Sequence, residues 1–229
     1  MNINEFYKFI IKELRNIMNM KPHYNRKNVY FLRFHRRSAA FLYKPYYDNQ
    51  SEWLRINSYA STGQAIKAPF TFYYVNNNDW SDSHSYQFWN KNFTSDSGIT
   101  NAAIAKTIYS PSPSGFVEPK TAAFTGFTST GGNSTKSSQF NVSGSFTKGY
   151  YFYTNGWKTG STIFFDCLGY RNTYGVTGAV VYVGEEGGFW AYGALSASHG
   201  RGFYCSTDQV HSQLTDFRSI GYSVLSVKE

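Results

Sequence analysis

From Phe70 onward the apolar residues come in short aromatic-rich runs, each closed by Gly, Asn, Asp or Ser. Runs of that length suit β-strands and are too short for amphipathic helices. Strands are predicted at 70–75, 115–117, 150–153, 162–166, 179–183, 188–192, 202–206 and 220–227. Turns are predicted at Asn76-Asn77-Asn78-Asp79, Gly131-Gly132-Asn133, Asn155-Gly156 and Gly187-Gly188. Residues 94–105 read as a short helix, Lys120–Phe127 as one helical turn, and 128–149 as loop or edge structure. Aromatic side chains make up 20% of the chain. Each buries a large area, so the chain can build a core with only 41% hydrophobic residues. A length of 229 residues allows one large domain or one domain with an appendage.

The first 60 residues differ from the rest. They carry eleven Lys/Arg against four Asp/Glu, whereas 61–229 carry eleven against ten. The net charge of +8 therefore belongs almost entirely to the N-terminal quarter. Ile3, Phe6, Ile10, Leu14 and Ile17 recur at helical spacing, which predicts an amphipathic helix over 3–20 that ends at Lys21-Pro22. Such a helix packs on its own domain or serves attachment and oligomerisation. Residues 21–45 then interleave Arg26, Arg33, Arg36 and Arg37 with Tyr30, Phe31, Phe34 and Phe41. That mixture suits a single-stranded nucleic-acid groove or an anionic docking face. With no nucleic-acid motif present, no nucleic-acid partner is expected. Division into 1–60, an attachment segment, and 61–229, a binding domain, follows.

Cys167 and Cys205 are the only cysteines, compatible with one disulfide or with two buried thiols. The apolar run Phe9-Ile10-Ile11 is broken by Lys12-Glu13, unlike a secretory leader, and no stretch reaches membrane-spanning length. Export as part of a phage particle, or a leader upstream, is the expectation; membrane insertion is not.

Catalytic signatures are sparse. The chain has no Gly-x-Ser-x-Gly elbow, phosphate-cradling loop or His-Glu-x-x-His, and its five histidines do not fall at ligand spacings. Glu185-Glu186, between Gly184 and Gly187, reads as a solvated turn. Asn76–Asp79 with Asp82 offers some calcium-type oxygens, but an Asn/Asp turn bonding its own backbone is the simpler reading. No metal, cofactor or enzymatic activity is expected.

Several motifs recur in a fixed order. Val75-Asn76-Asn77-Asn78-Asp79-Trp80 precedes Phe88-Trp89-Asn90, the stretch Lys106–Pro119, and Ala123-Phe124-Thr125-Gly126-Phe127. Ile163–Arg171, Gly188-Phe189-Trp190 and Arg218–Val224 follow. This order resembles the C-terminal domains of Bacteroidales fimbrillin-like and phage tail-associated proteins. It is also similar to the Fibrobacter major paralogous domain, related to C-type-lectin-like variable proteins of diversity-generating retroelements. The resemblance covers the last two-thirds of the chain. It departs at Ser110-Pro111-Ser112-Pro113, where relatives often have Asp-Pro-Cys-Pro, and at Leu225, where they usually carry Arg. Calcium-dependent sugar motifs are missing.

The resemblance implies an α+β, C-type-lectin-like domain with short antiparallel strands and an N-terminal helix. Gly169, Gly188 and Gly221 are expected where a close approach or a positive φ demands Gly. Trp190 and Tyr170 are expected as anchors, and Arg171 and Arg218 as ties between loops. In such diversified proteins the ligand surface falls in the segment after Trp190. The matching candidates are Tyr192, Leu195, Ser198, His199, Arg201, Tyr204, Thr207, Asp208, Gln209 and His211. They combine aromatic faces, a planar cation and hydrogen-bonding groups. The implied function is non-enzymatic adhesion to a bacterial surface receptor, protein or glycan, by a virion-associated extracellular protein. Residues 1–60 would support a homo-oligomer. A fimbrillin-like cell-surface subunit and, from another class, a carbohydrate-active enzyme are the alternatives.

Overall fold

The computed structural model describes residues 54–68, 71–174 and 178–228. The helix expected over 3–20 and the basic cluster lie outside the described residues. Strand β1 (Leu54–Asn57) pairs in parallel with β2 (Thr71–Tyr74). Between them runs the one α-helix among the described residues, α1 (Thr62–Lys67), started by a capping box. The Ser61 hydroxyl accepts from the Gln64 amide, and the Gln64 side chain accepts from the Ser61 amide.

Most of the remaining strands are short. They are β3 (Phe116–Val117), β4 (Val142–Ser143), β5 (Gly149–Tyr153), β6 (Thr162–Asp166), β7 (Tyr170–Arg171) and β8 (Val180–Val181). Longer strands β9 (Glu186–Ala194), β10 (His199–Ser206) and β11 (Val210–Phe217) follow, then β12 (Ser223–Val224) and β13 (Val227–Lys228). The central sheet has the order β11-β10-β9-β12, with β12 parallel to β9. A three-stranded sheet β4-β5-β6 and the pairs β13-β3 and β7-β8 complete the pairing.

This architecture corrects the expected α+β class. The regular structure of the described residues is mostly β, with a single six-residue α-helix. Residues 94–105 form no helix, and Lys120–Phe127 closes in a 3₁₀ turn at Thr125–Phe127. Gly187-Gly188 is not a turn: both glycines lie inside β9. The Asn76–Asn78 turn stands as read, and Ser219 donates its amide to the Asn78 carbonyl.

Strand β9 is buried on both faces, which explains why it reads as a nearly unbroken run instead of alternating apolar and polar residues. Phe189 and Ala191 point into a phenylalanine-rich core with Phe124, Phe127, Phe140, Phe152, Phe165 and Phe203. Its rings meet edge-to-face and stacked, for example Phe127–Phe152 at 4.3 Å and Phe165–Phe189 at 5.2 Å between centroids. Trp190, between those two residues, faces the opposite side and packs with Leu214, Ile220 and Tyr222. Glycines make room there. A Cβ on Gly200 would lie 2.8 Å from Cζ3 of Trp190, and one on Gly188 would lie 2.2 Å from Cδ1 of Tyr222.

Arg218 ties this outer layer to the 76–85 segment. Its guanidinium pairs with fully buried Asp79 at 3.3 Å, donates to the Ser85 carbonyl at 2.6 Å, and lies over the Phe88 ring. His84 flanks the same carboxylate at 3.5 Å. Arg171 donates to the Gly178 carbonyl at 2.8 Å. Both arginines are the loop ties their positions suggested.

Candidate functional site

The structure distributes the ten sequence-predicted site residues over four places. Tyr192 is interior, 3% exposed, stacked on Phe93 at 5.1 Å, with its hydroxyl donating to the Ala102 carbonyl at 3.2 Å. It is a packing residue, which removes it from any ligand surface. Leu195, Ser198 and His199 form the β9–β10 turn, where the Leu195 amide donates to the His199 carbonyl and the Ser198 hydroxyl meets Nδ1 of His199 at 2.9 Å. Beside that turn, Arg201 is held by Asp96 at 2.8 Å. Against the upward pull of burial, the Gly98 amide and Arg201 keep the Asp96 carboxyl below its usual range.

Thr207, Asp208 and Gln209 form the β10–β11 turn, at the other end of β10. Thr207 accepts from the Tyr150 hydroxyl at 2.7 Å, Asp208 from the Ser206 hydroxyl at 2.8 Å, and the Gln209 carbonyl from the Ser206 amide at 2.9 Å. Only Tyr204 and His211 of the ten meet side by side on the outer sheet face, their rings 5.4 Å apart.

Around that pair the fold assembles residues that the sequence reading did not group. Glu186 opens β9, and its carboxylate lies close enough to the Tyr204 and Tyr170 phenols to act on them electrostatically. The Tyr170 ring packs on Tyr222 at 5.0 Å and on exposed Tyr182 at 5.8 Å. The Tyr222 hydroxyl donates to Asp216 Oδ2 at 2.8 Å, and the exposed Tyr174 donates to Oδ1 at 3.3 Å. Asp216, on β11, acts electrostatically on His211, which closes the circuit. Tyr204, Glu186, Tyr170, Tyr222, Asp216 and His211 thus form a ring of side chains on the outer face, with all but Tyr222 partly open to solvent.

The protonation states follow from this packing. Burial, reinforced by Glu186, pushes the Tyr170 and Tyr204 phenols far above their usual range. Burial and Asp216 do the same to Tyr222, and raise Tyr174 to about 12. Burial pulls His211 below its ordinary value, against a smaller opposing pull from Asp216. At neutral pH the phenols are therefore donors and the imidazole is neutral.

Glu186 was read as part of a solvated turn, and Asp216 was not singled out. The only signal for either lies in strand pairing across the sheet, which local sequence does not carry. Burial raises two other carboxyls, Asp79 and Asp166, which sit in separate surroundings: one against Arg218 and His84, the other at the end of β6. Cys167 and Cys205 are buried free thiols with their sulfurs 3.8 Å apart. Among the described residues, no group of three or more His, Cys, Asp or Glu could hold a metal ion. Among them, too, no helix is long and apolar enough to cross a membrane. Compared with known proteins, the chain matches no family model, no curated protein and no solved structure.

Proposed function

We propose that this chain is a non-enzymatic binding protein of the adhesion type, which recognises a bacterial surface receptor through the outer face of its central sheet. The observation that carries this reading is the Tyr204–Glu186–Tyr170–Tyr222–Asp216–His211 ring. It combines aromatic faces, two carboxylates and a neutral imidazole on a sheet whose opposite face is locked in the phenylalanine core. Rigid support of a partly open polar-aromatic patch is what a recognition surface needs, because little ordering entropy is lost on binding. The motif order, which resembles that of phage tail-associated and fimbrillin-like C-terminal domains, supports an extracellular, virion-associated setting.

The test is binding of the full-length chain to a panel of Bacteroidales cells, measured by flow cytometry. A Tyr204→Ala/His211→Ala variant should lose at least tenfold in affinity, about 1.4 kcal/mol, while still unfolding cooperatively. Undiminished cell binding by that folded variant would overturn the reading.

A further inference from the structure

The only two cysteines of the chain meet at the seam between two sheets. Cys167 follows directly on the end of β6, and Cys205 lies on β10. They are 38 residues apart in sequence, yet their sulfurs are 3.8 Å apart inside the phenylalanine core. Gly187 makes this approach possible. It pairs with Cys205 across β9 and β10, so a side chain at 187 would stand beside that of Cys205 on the same face. A Cβ there would lie 2.9 Å from Cα of Cys167 and 2.6 Å from the Asp166 carbonyl oxygen. The Cys167 backbone therefore fills the place of the missing side chain. Two hydrogen bonds pin it: the Cys167 amide donates to the Lys148 carbonyl at 2.8 Å, and its carbonyl accepts from the Gly184 amide at 2.7 Å.

Other roles for paired thiols do not suit this place. A structural thiolate metal site uses four ligands, and no group of three or more ligating residues lies together among the described residues. A catalytic or sensing thiol has to be accessible and easily ionised. Both of these are buried, and the hydrogen-bonded Cys167 thiol, together with burial, holds the Cys205 thiol well above its ordinary range. Bond formation between the two sulfurs is what the geometry favours. They are already in contact, and a disulfide needs them about 2.05 Å apart, a closure of about 1.8 Å shared between two side-chain rotations.

We infer that Cys167 and Cys205 are a disulfide-forming pair, a covalent staple that fastens the end of β6 to β10 and so joins the three-stranded sheet to the central one. The step is an exchange with an oxidant of the disulfide class, such as oxidised glutathione. One thiolate attacks the oxidant to give a mixed disulfide and release one thiol. The second thiolate then displaces the other half, closing the Cys167–Cys205 bond. In all, two protons and two electrons leave the cysteines, and the oxidant is reduced to two thiols. Exchange takes place before the core closes, because it needs access to a sulfur that the folded core denies. An extracytoplasmic setting supplies such an oxidant. The staple is a property of the scaffold and holds whether or not the outer face binds a receptor.

The experiment unfolds the full-length protein in urea with dithiothreitol. It is then refolded in parallel with a glutathione redox buffer or with dithiothreitol alone. The glutathione product should be lighter by about 2 Da, the mass of the two hydrogens lost. It should run as a monomer on a non-reducing gel and expose no thiol to N-ethylmaleimide in urea. The dithiothreitol product should expose both. Tying two points 38 residues apart restricts the unfolded chain, so the bonded form should melt roughly 4–16 °C above the reduced form. Cys167→Ala should melt at the same temperature from either buffer. If that variant does not fold, Cys205→Ala takes its place, and if neither folds the two wild-type products decide. Two reactive thiols after glutathione refolding, a glutathione adduct or a disulfide-linked dimer would overturn the staple. So would a bonded form that melts no higher than the reduced one, or an equal redox shift in Cys167→Ala.

Discussion

Gly188→Ala should be among the most damaging single-methyl additions in the molecule. The backbone at Gly188 is ordinary strand, outside the positive-φ glycines, so alanine fits the main chain. Only the Tyr222 ring objects. The new Cβ would lie 2.2, 2.4 and 2.7 Å from Cδ1, Cε1 and Cγ, well inside the roughly 3.5–4.0 Å of a normal carbon contact. Contact with Cγ means the ring cannot swing clear from its tip. The ring has to move by more than about 1 Å, while Trp190 at 5.1 Å and Tyr170 at 5.0 Å hold it in place. Overpacking of this kind costs about 1–3 kcal/mol. Displacing the hydroxyl from Asp216 removes a hydrogen bond to a charged acceptor, about 1.5–3 kcal/mol more. A total of about 2.5–6 kcal/mol corresponds to a fall in Tm of roughly 5–24 °C at this size.

Urea unfolding and calorimetry of a double-mutant cycle separate ring displacement from backbone effects. Tyr222→Ala alone should cost about 3–5 kcal/mol. With the ring gone, Gly188→Ala should be neutral or stabilising by up to about 1 kcal/mol, because alanine restricts the unfolded chain. The coupling energy should therefore exceed about 2 kcal/mol. A coupling below about 0.5 kcal/mol would refute the seating of Tyr222 over Gly188.

Three further expectations concern neighbouring groups. Tyr192→Ala should lower stability by about 3–5 kcal/mol, read as a shift in Tm, because it empties an interior site; the residual folded protein should keep full cell binding. Arg218→Met should strand the Asp79 carboxylate and cost about 3–5 kcal/mol at pH 7 in urea unfolding. The raised Asp79 pKa means the penalty should shrink as pH falls through it, since the protonated acid needs no cation. His211, whose folded pKa lies below its unfolded value of about 6.5, contributes stability that is fully present above that value. That contribution is lost as pH falls toward the lowered pKa. His211→Gln should flatten this stability profile, measured by urea unfolding across pH.

Much of the scaffold was legible because its signals are local. The runs at 150–153 and 162–166 became β5 and β6, and the turn signals between them sit in the hairpin loop. Gly188 and Gly169 were expected to sit at close approaches, and they do: a Cβ on Gly169 would lie 2.2 Å from the Val181 carbonyl oxygen. Strand β11 was missed because Val210–Phe217 interleaves His, Ser, Gln, Thr and Asp among its apolar residues. Its buried Ser212 is tolerated only because the hydroxyl donates to the Gly132 carbonyl, 80 residues away in sequence. The helix expected at 94–105 fails for a similar reason. The side chains of Asn90 and Thr121 take up its backbone amides at Ala105 and Thr100, satisfying the segment in an irregular form.

The site was hidden by one irregularity in the sheet. His211 and Asp216 are five residues apart on one strand, so regular alternation puts them on opposite faces. Likewise, Val210 and Leu214 would share a face, yet Val210 belongs to the phenylalanine core and Leu214 packs with Trp190 on the other side. Between them the β10–β11 register shifts. Tyr204 pairs with His211 and Gly202 with Leu214, so Ser212 and Gln213 together oppose Phe203. This two-against-one bulge flips the parity of β11 at its midpoint. It brings His211 onto the outer face beside Tyr204 while keeping Asp216 there against Tyr222. The bulge is therefore what joins the Glu186–Tyr204 half of the ring to the Asp216–Tyr222 half. Deleting Gln213 to restore regular pairing would send one half into the core.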